Sequence, residues 1–296
     1  MASLRQLRQR LRSTQNTKQI MRAMQLVSGS KLKRAQGRLV QARATLEFLD
    51  GLLQRVLATS PEMTHPLGAV REDRPTALVV LTSDTGLCGS YNANLIALAE
   101  SYLRRDSAKQ TQTIYIGKKG YRYFLKRGYR ATEAYLDLAG RPDLAKAEAI
   151  GRTLMDRFCA GEVGAIQLLY SKFVSATTYK PVMLRWLPIQ LNSVTHTPVV
   201  HSPQSTVHSQ ELEYIFEPSA QRVFEDLLPR WTLATFQRVM LEAFTSEHSA
   251  RMIAMKNATD NAEELIKTLT TQRNKIRQAT ITKELSEIVG TAEALK

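Results

Sequence analysis

The sequence predicts an α/β protein whose two ends are long helices that pair as an antiparallel coiled coil, with an open-sheet domain between them. Residues 230–289 contain no proline or glycine, so they can form one helix about 90 Å long at about 1.5 Å per residue. The first 58 residues also lack proline and carry apolar side chains on a seven-residue repeat, which is typical of coiled coils. Between these ends, apolar runs alternate with amphipathic segments, which predicts a sheet flanked by helices.

The N-terminal helix is predicted to span residues 1–60. Its seam positions follow strict 3-4 spacing from Leu4 to Val56, so one stripe of the helix has to pack on a partner helix. The seam leucines include Leu4, Leu7, Leu11, Leu32, Leu39 and Leu46. Between Thr14 and Ser28 the seam is polar or small, and a second apolar line lies beside it: Ile20, Met24 and Val27. This predicts either a change of buried face or different neighbours.

The C-terminal helix is predicted within residues 211–296. Apolar residues seven positions apart mark its seam: Met255, Ala262, Leu269 and Ile276. A second apolar line on a shifted phase follows it: Ile281, Leu285, Ile288, Ala292 and Leu295. Helices with one narrow apolar stripe are unstable alone. The two ends are therefore expected to pair within one chain, with a homodimeric coiled coil as the alternative.

The positive charge is concentrated in the predicted N-terminal helix. The formal net charge of the chain is +14, and residues 1–58 hold 12 Lys and Arg against 2 acidic residues. A basic helix favours an acidic protein, nucleic acid or an anionic surface as its partner, and charge alone does not choose among them.

Composition excludes several classes of protein. No run of 18 apolar residues is present, so no direct insertion into a membrane is expected. The basic N-terminus lacks the apolar core of a secretory signal. Two cysteines, Cys88 and Cys159, are too few for a disulfide framework or a metal cluster, and both are expected to be free thiols.

Residues 61–210 form the predicted central domain with its flanking linkers. Strands are expected at 76–83, 113–117, 129–138, 165–173 and 182–189, and helices at 92–105, 121–126 and 142–160. Repeated β-α units of this kind favour an open sheet covered by helices. The segments 61–75 and 192–210 are the expected linkers.

A glycine-containing turn follows the first predicted strand and includes Asp84, Gly86, Cys88 and Gly89. Its G-x-x-G spacing lacks the third glycine of a dinucleotide-binding fingerprint, and no phosphate-binding loop motif occurs elsewhere. A structural turn is therefore the preferred interpretation, with Cys88 as a small core residue.

The histidines offer no metal site. His196, His201 and His208 lack the spacing of metal ligands, and His248 is expected to be a packed histidine on the apolar face of a helix. The sequence predicts no catalytic constellation, no metal and no cofactor.

Four segments, in a fixed order, carry a family resemblance. They are RSTQNTKQIMRAMQLVSGSKLKRAQ (12–36), SDTGLCGSYN (83–92), SEHSARMIAMKNATDN (246–261) and RQATITKELSEIVG (277–290). Together they resemble the opening helix, the glycine turn and the C-terminal helix of the gamma subunit of rotary F-type ATP synthases. The chain departs from that pattern at Thr85, where the family has arginine, and at Ser90, where it has glycine. The first departure removes the charge that a salt link would need.

The resemblance implies a non-catalytic rotor with a coiled coil of terminal helices and a Rossmann-like central domain. One copy stands inside a hexamer of three alpha and three beta subunits, and the central domain lies against the epsilon subunit and the membrane c-ring. Ion flow turns the ring and the shaft, whose uneven surface drives the catalytic beta sites through different affinities. With no presequence evident, the expected location is the cytoplasmic face of a bacterial membrane.

The resemblance also implies which residues meet the beta subunits and the apolar sleeve above them. An acidic beta loop passes near Met24. The other implied beta contacts are Lys18, Arg22, Lys31, Lys33, Arg277, Gln278 and Thr282. The apolar tip expected to turn in the sleeve comprises Ile288, Val289, Ala292 and Leu295. For any one of the cations, a solvated charged face is the alternative.

Two other hypotheses remain open from the sequence. A basic coiled-coil protein could bind nucleic acid, although we find no aromatic-interleaved basic patch in the sequence to support it. A nucleotide-dependent enzyme could use the central sheet, and saturable binding of ATP or NAD would distinguish it from a rotor.

Overall fold

The computed structural model describes residues 4–59, 63–105, 111–138, 143–190 and 216–294. The helices are α1 (Leu4–Thr59), α2 (Tyr91–Leu103), α3 (Lys118–Lys126), α4 (Leu144–Cys159) and α5 (Ala220–Ala294), with a short 3-10 helix at Pro66–Gly68. The strands are β1 (Thr76–Leu81), β2 (Thr111–Ile116), β3 (Ala131–Tyr135), β4 (Ala165–Phe173) and β5 (Tyr179–Leu187). The chain divides into a first unit, Met1–Ser30 with Arg251–Lys296, and a second unit, Lys31–Ala250.

The second unit contains a five-stranded sheet in the order β3-β2-β1-β4-β5. The first four strands are parallel, and β5 runs antiparallel to β4. β1 is buried on both faces, which explains its continuous apolar sequence. Its alternate side chains enter different cores: Val79 packs with α1, α4 and α5, whereas Val80 packs with α2 and α3. The predicted open sheet flanked by helices is confirmed.

The strand β5 begins at Tyr179, earlier than the sequence predicts, because it pairs with β4 as a hairpin in which Phe173 faces Tyr179. Pro181 lies inside it, opposite Ser171. A proline lacks the N–H that a central strand needs, so this position is compatible only with an edge strand.

In the first unit, α1 and α5 run antiparallel. Lys18 Nζ lies 3.0 Å from Glu263 Oε2, and a Cβ atom at Gly29 would lie 3.5 Å from Met252 Sδ. The residue numbers of the contacting positions therefore decrease along α5 as they increase along α1, as in an antiparallel pair. The seam side chains of both helices face inward, and Leu7, Met255, Ala262 and Leu269 are buried. The predicted antiparallel coiled coil is confirmed.

The heptad seam remains the inward face of α1 through its polar stretch. Ser28 is buried, and Thr14 and Met21 are half-buried. Ile20 and Val27 on the second apolar line are instead 61% and 56% exposed. The helix therefore does not change its buried face within this chain, and that expectation was wrong. The alternative, that this line meets different neighbours, stays a prediction.

The helix α5 begins at Ala220 and runs through Pro229, ten residues before the proline-free stretch that predicted it. A proline inside a helix costs about 3 kcal/mol because it removes a hydrogen bond and crowds the preceding turn. Packing offsets this cost, since Phe224 and Leu228, which precede Pro229 in the same helix, are fully buried in the second unit.

The part of α5 at the end of the second unit is polar yet buried from Glu242 to Ala250. Its short hydroxyls bond the β4–β5 hairpin: Ser246 Oγ donates to Ser171 O at 2.9 Å and Ser249 Oγ donates to Ala176 O at 2.6 Å. Serine is short enough to let the two backbones approach while satisfying their carbonyl groups. This contact gives a physical reason for serine at positions 246 and 249.

Candidate partner-binding surfaces

The turn after β1 caps the N-terminus of α3. Lys118 N donates to Asp84 Oδ1 at 3.0 Å, Lys119 N donates to Ser83 O at 3.0 Å, and Gly120 N donates to Thr82 Oγ1 at 2.9 Å. A helix N-terminus beside the end of a parallel strand is where open α/β sheets hold phosphate groups. Here the chain's own oxygen atoms accept these hydrogen bonds, which supports a structural role for the turn.

The remainder of the turn is also built from internal contacts. Asn92 accepts from Ser83 N at 3.0 Å through Oδ1, and its Nδ2 donates to Cys88 Sγ at 3.1 Å. Cys88 is buried, whereas Cys159 is exposed, and both are free thiols. Gly86 lies beside the amine of Lys119, and Gly89 is exposed. No catalytic arrangement is needed to explain this motif.

The side chains predicted to meet beta subunits differ in their availability. Met24 is half-buried on α1, and Lys18 is held in the coiled coil by Glu263. The remaining predicted contacts are all exposed: Arg22, Lys31, Lys33, Arg277, Gln278 and Thr282. Lys18 is thus the predicted contact whose charge is already paired within the chain.

The end of α5 extends beyond its pairing with α1. Counting from the Lys18–Glu263 pair, Leu4 lies level with Arg277, where α1 begins. All residues from 277 to 291 are exposed, including Ile288 and Val289. The side chain of Ala292 and all of Leu295 lie outside the described residues. The predicted tip therefore presents apolar side chains that nothing in the described chain covers.

The ion pair between Lys18 and Glu263 gives the coiled coil a pH dependence. The hydrogen bond and charge of Lys18 hold the pKa of Glu263 below its usual value. The folded carboxylate thus binds a proton less readily than the unfolded one, so its contribution is present above the unfolded pKa and is lost as pH falls through the folded pKa. We expect the melting temperatures of wild type and Glu263→Gln to differ slightly near pH 6 and to converge near about pH 3. Glu264→Gln makes the same change at the exposed neighbouring position and is the matched control. A gap between wild type and Glu263→Gln that widens with acidity would contradict the assignment.

The sequence matches a known protein family along almost its whole length. The sequence profile of the ATP synthase family matches residues 3–295. The ATP synthase gamma chain of Desulforamulus reducens is 41% identical to this chain, and that of Pelotomaculum thermopropionicum is 40% identical. Each alignment covers 100% of both chains. The chain belongs to the ATP synthase gamma-chain family.

Chains in solved structures of mitochondrial ATP synthases share this fold. The rotor of the Euglena gracilis mitochondrial ATP synthase is 17% identical, with a TM-score of 0.64, covering 94% of this chain and 98% of that one. The central stalk of the Tetrahymena thermophila mitochondrial ATP synthase is 22% identical, with a TM-score of 0.56, covering 81% and 99%. The terminal helices and central sheet are therefore family features.

The chain carries a further basic surface, at residues 118–130, that was not predicted from the sequence. The segment KKGYRYFLKRGYR, residues 118–130, interleaves Lys and Arg with aromatic residues and contains no acidic residue. The sequence therefore does hold an aromatic-interleaved basic patch, and the expectation that it holds none was wrong. Its composition was visible, but only the structure shows that three of its six cations, Lys119, Arg122 and Lys126, lie exposed on one face of α3.

Among the described helices, none combines the length and the apolar character needed to cross a bilayer.

Proposed function

We propose that this chain is the non-catalytic central-stalk rotor subunit of an F-type ATP synthase. It transmits rotation between an ion-driven c-ring and three catalytic beta subunits, which couples ion transport to ATP synthesis or hydrolysis. The observation that carries the proposal is the full-length match to gamma chains in a chain whose terminal helices wind antiparallel.

The geometry of the first unit suits torque transmission. Two helices joined along a buried seam resist twisting and bending better than either helix alone. Their surfaces also differ in charge: residues 4–30 of α1 contain Lys and Arg but no acidic residue, whereas α5 from Arg251 onward mixes both signs. Such unevenness allows one orientation of the shaft to favour one beta subunit over the other two.

The partners follow from the same proposal. One copy stands in an alpha3-beta3 hexamer and also contacts the epsilon subunit and the c-ring, at the cytoplasmic face of a bacterial membrane. The exposed apolar residues Ile288 and Val289 suit a sliding contact, because apolar groups form no directional bonds that would have to break at each turn. Catalysis belongs to the beta subunits.

The test of this role is copurification with the complex. The chain, expressed with its neighbouring subunits and purified from membranes, is expected at one copy for every three beta subunits. Equal numbers of this chain and beta, or a ring complex that lacks the chain, would overturn the proposal. Saturable micromolar binding of ATP or NAD to the chain alone would favour the enzyme hypothesis.

Met24→Lys tests the proposed contact with an acidic beta loop. The new ammonium group should attract that loop and hold the shaft at one angle, so we expect the ratio of ion pumping to ATP hydrolysis to fall at least about twofold while assembly is unchanged. Ala23→Lys is the matched control, because it adds the same charge at an exposed position one residue away. Equal pumping ratios in the two variants would remove Met24 from the contact.

A further inference from the structure

The outer face of α3 is a continuous basic stripe. Lys119, Arg122 and Lys126 are spaced i, i+3 and i+7, which places them on one side of a helix. All three are exposed. Within the described residues none of them forms an ion pair, whereas the neighbouring Arg127 is paired with Glu100 at 3.4 Å. The stripe therefore presents positive charge that the chain itself does not neutralise.

An apolar side chain borders this stripe. Leu125 is 52% exposed on α3, and the opposite face of the helix is held in the core by Phe124, which is fully buried. Arg130, just beyond the helix, is also exposed. The surface thus combines several cations with one protruding leucine, a combination typical of helices that lie on an anionic bilayer.

The rings of Tyr123 and Tyr129 in this segment are held by contacts within the chain and are not available to stack nucleic-acid bases. Tyr123 donates its hydroxyl to Glu100 at 2.9 Å, and the Arg127 guanidinium lies 3.6 Å from its ring centroid. Tyr129 packs edge-on against Phe124 with ring centroids 5.4 Å apart. Sequence-tolerant binding of single strands depends on free ring faces. The tyrosines here anchor and cover α3 instead, which disfavours nucleic acid as the occupant.

We propose that the basic face of α3 binds anionic phospholipid headgroups at the surface of the membrane that holds the complex. The inference rests on the proposed function, which places the chain near a membrane. The choice of anionic headgroups rests on charge complementarity with the basic face of α3. The lysine and arginine side chains meet lipid phosphates, and Leu125 enters the boundary between headgroups and acyl chains. Because such attraction is not directional, it would tolerate the lateral movement of a turning rotor.

The test measures binding of the full chain to vesicles containing about 30 mol% phosphatidylglycerol in phosphatidylcholine. Since each cation near an anionic bilayer contributes about a factor of five, we expect the variant Lys119→Gln, Arg122→Gln, Lys126→Gln to bind about 100-fold more weakly. Glutamine preserves helix propensity at these exposed positions, so folding should be retained. Leu125→Ser should lose a few-fold in affinity, with little dependence on salt.

A matched control separates this face from the overall positive charge of the chain. Arg5, Arg8 and Arg12 on α1 have the same i, i+3 and i+7 spacing and are also exposed. The variant Arg5→Gln, Arg8→Gln, Arg12→Gln should retain most of the vesicle binding. Equal losses in the two triple variants, or no loss in the α3 variant, would overturn the proposal. Tighter binding to single-stranded DNA than to vesicles, abolished by the α3 variant, would overturn it in favour of nucleic acid.

The lipid test and the rotor test fail independently. Copurification with beta subunits is measured for wild type and for the α3 variant. Wild-type assembly without α3-dependent vesicle binding rejects the lipid site and leaves the rotor role standing. Vesicle binding that depends on α3 in a chain that never joins a ring complex rejects the rotor role. If the triple variant fails to fold, Arg122→Gln alone, with an expected loss of about fivefold, decides the lipid question.

Discussion

Leu269→Asp is expected to unwind much of the coiled coil in the first unit. Leu269 is 8% exposed in the α5 seam and lies level with Leu11 within one residue, counting from the Lys18–Glu263 pair. The substitution removes a packed leucine and buries a carboxylate without a partner, which should cost at least about 4 kcal/mol. Hydrogen exchange should show faster amide exchange in residues 4–30 and 251–276, together with a loss of helical circular dichroism at equilibrium.

Leu265→Asp is the matched control for this prediction. It makes the same chemical change one turn earlier on the same helix, but Leu265 is 48% exposed. An aspartate carboxylate at this exposed position remains hydrated, so the free energy of unfolding should change by no more than about 1 kcal/mol. Similar exchange rates in the two variants would show that the seam assignment of Leu269 is incorrect. Unimpaired assembly of the Leu269→Asp variant into a ring complex would also count against a shaft built on this seam.

Gly117→Ala is expected to have a comparable effect on the second unit. Gly117 has a φ of +100°, and a Cβ atom there would lie 2.1 Å from the carbonyl oxygen of Thr82. Neither side can move freely, because Gly117 N donates to Tyr135 O at 2.9 Å and Thr82 N donates to Ile116 O at 2.8 Å. We expect a loss of more than about 4 kcal/mol, seen as a lower melting temperature or as insoluble protein.

Gly128→Ala is the control for Gly117→Ala, because it introduces backbone strain at a positive φ without a steric clash of the new Cβ atom. Gly128 has a φ of +83° at the end of α3, and a Cβ atom there would have no neighbour within 4 Å. Alanine should therefore cost only about 1 to 2 kcal/mol, the price of a left-handed conformation. If Gly117→Ala were no more harmful than Gly128→Ala, the close approach of β1 to the start of α3 would be incorrect.

Local rules predicted most of the architecture. The strand β4 occurs at the predicted residues 165–173, because its apolar run is bounded by glycine and polar residues. Each seam position of α1 from Leu4 to Val56 is buried or half-buried, since a heptad repeat specifies one helix face whatever the partner is. The turn after β1 was also predicted as structural, because it lacks the third glycine of a dinucleotide-binding fingerprint.

Other features depended on contacts that are distant in sequence. The polar stretch from Glu242 to Ala250 is buried because residues distant in sequence satisfy its polar groups, and the bonds of Ser246 and Ser249 to the β4–β5 hairpin are examples. The start of α3 was predicted too late, at residue 121, because its first N–H groups are satisfied by oxygen atoms more than thirty residues earlier. Helix rules that consider only neighbouring residues cannot anticipate such a cap.

The sequence by itself determined the two long helices, their buried stripes, the open sheet flanked by helices and the family, because periodicity and local motifs are written along the chain. The tertiary structure decided which charges remain free. Lys18 and Lys119 look alike in the sequence, yet Lys18 is paired with Glu263, 245 residues away, while Lys119 faces solvent on α3. Ion pairing depends on distance in space, and folding alone sets that distance for residues so far apart.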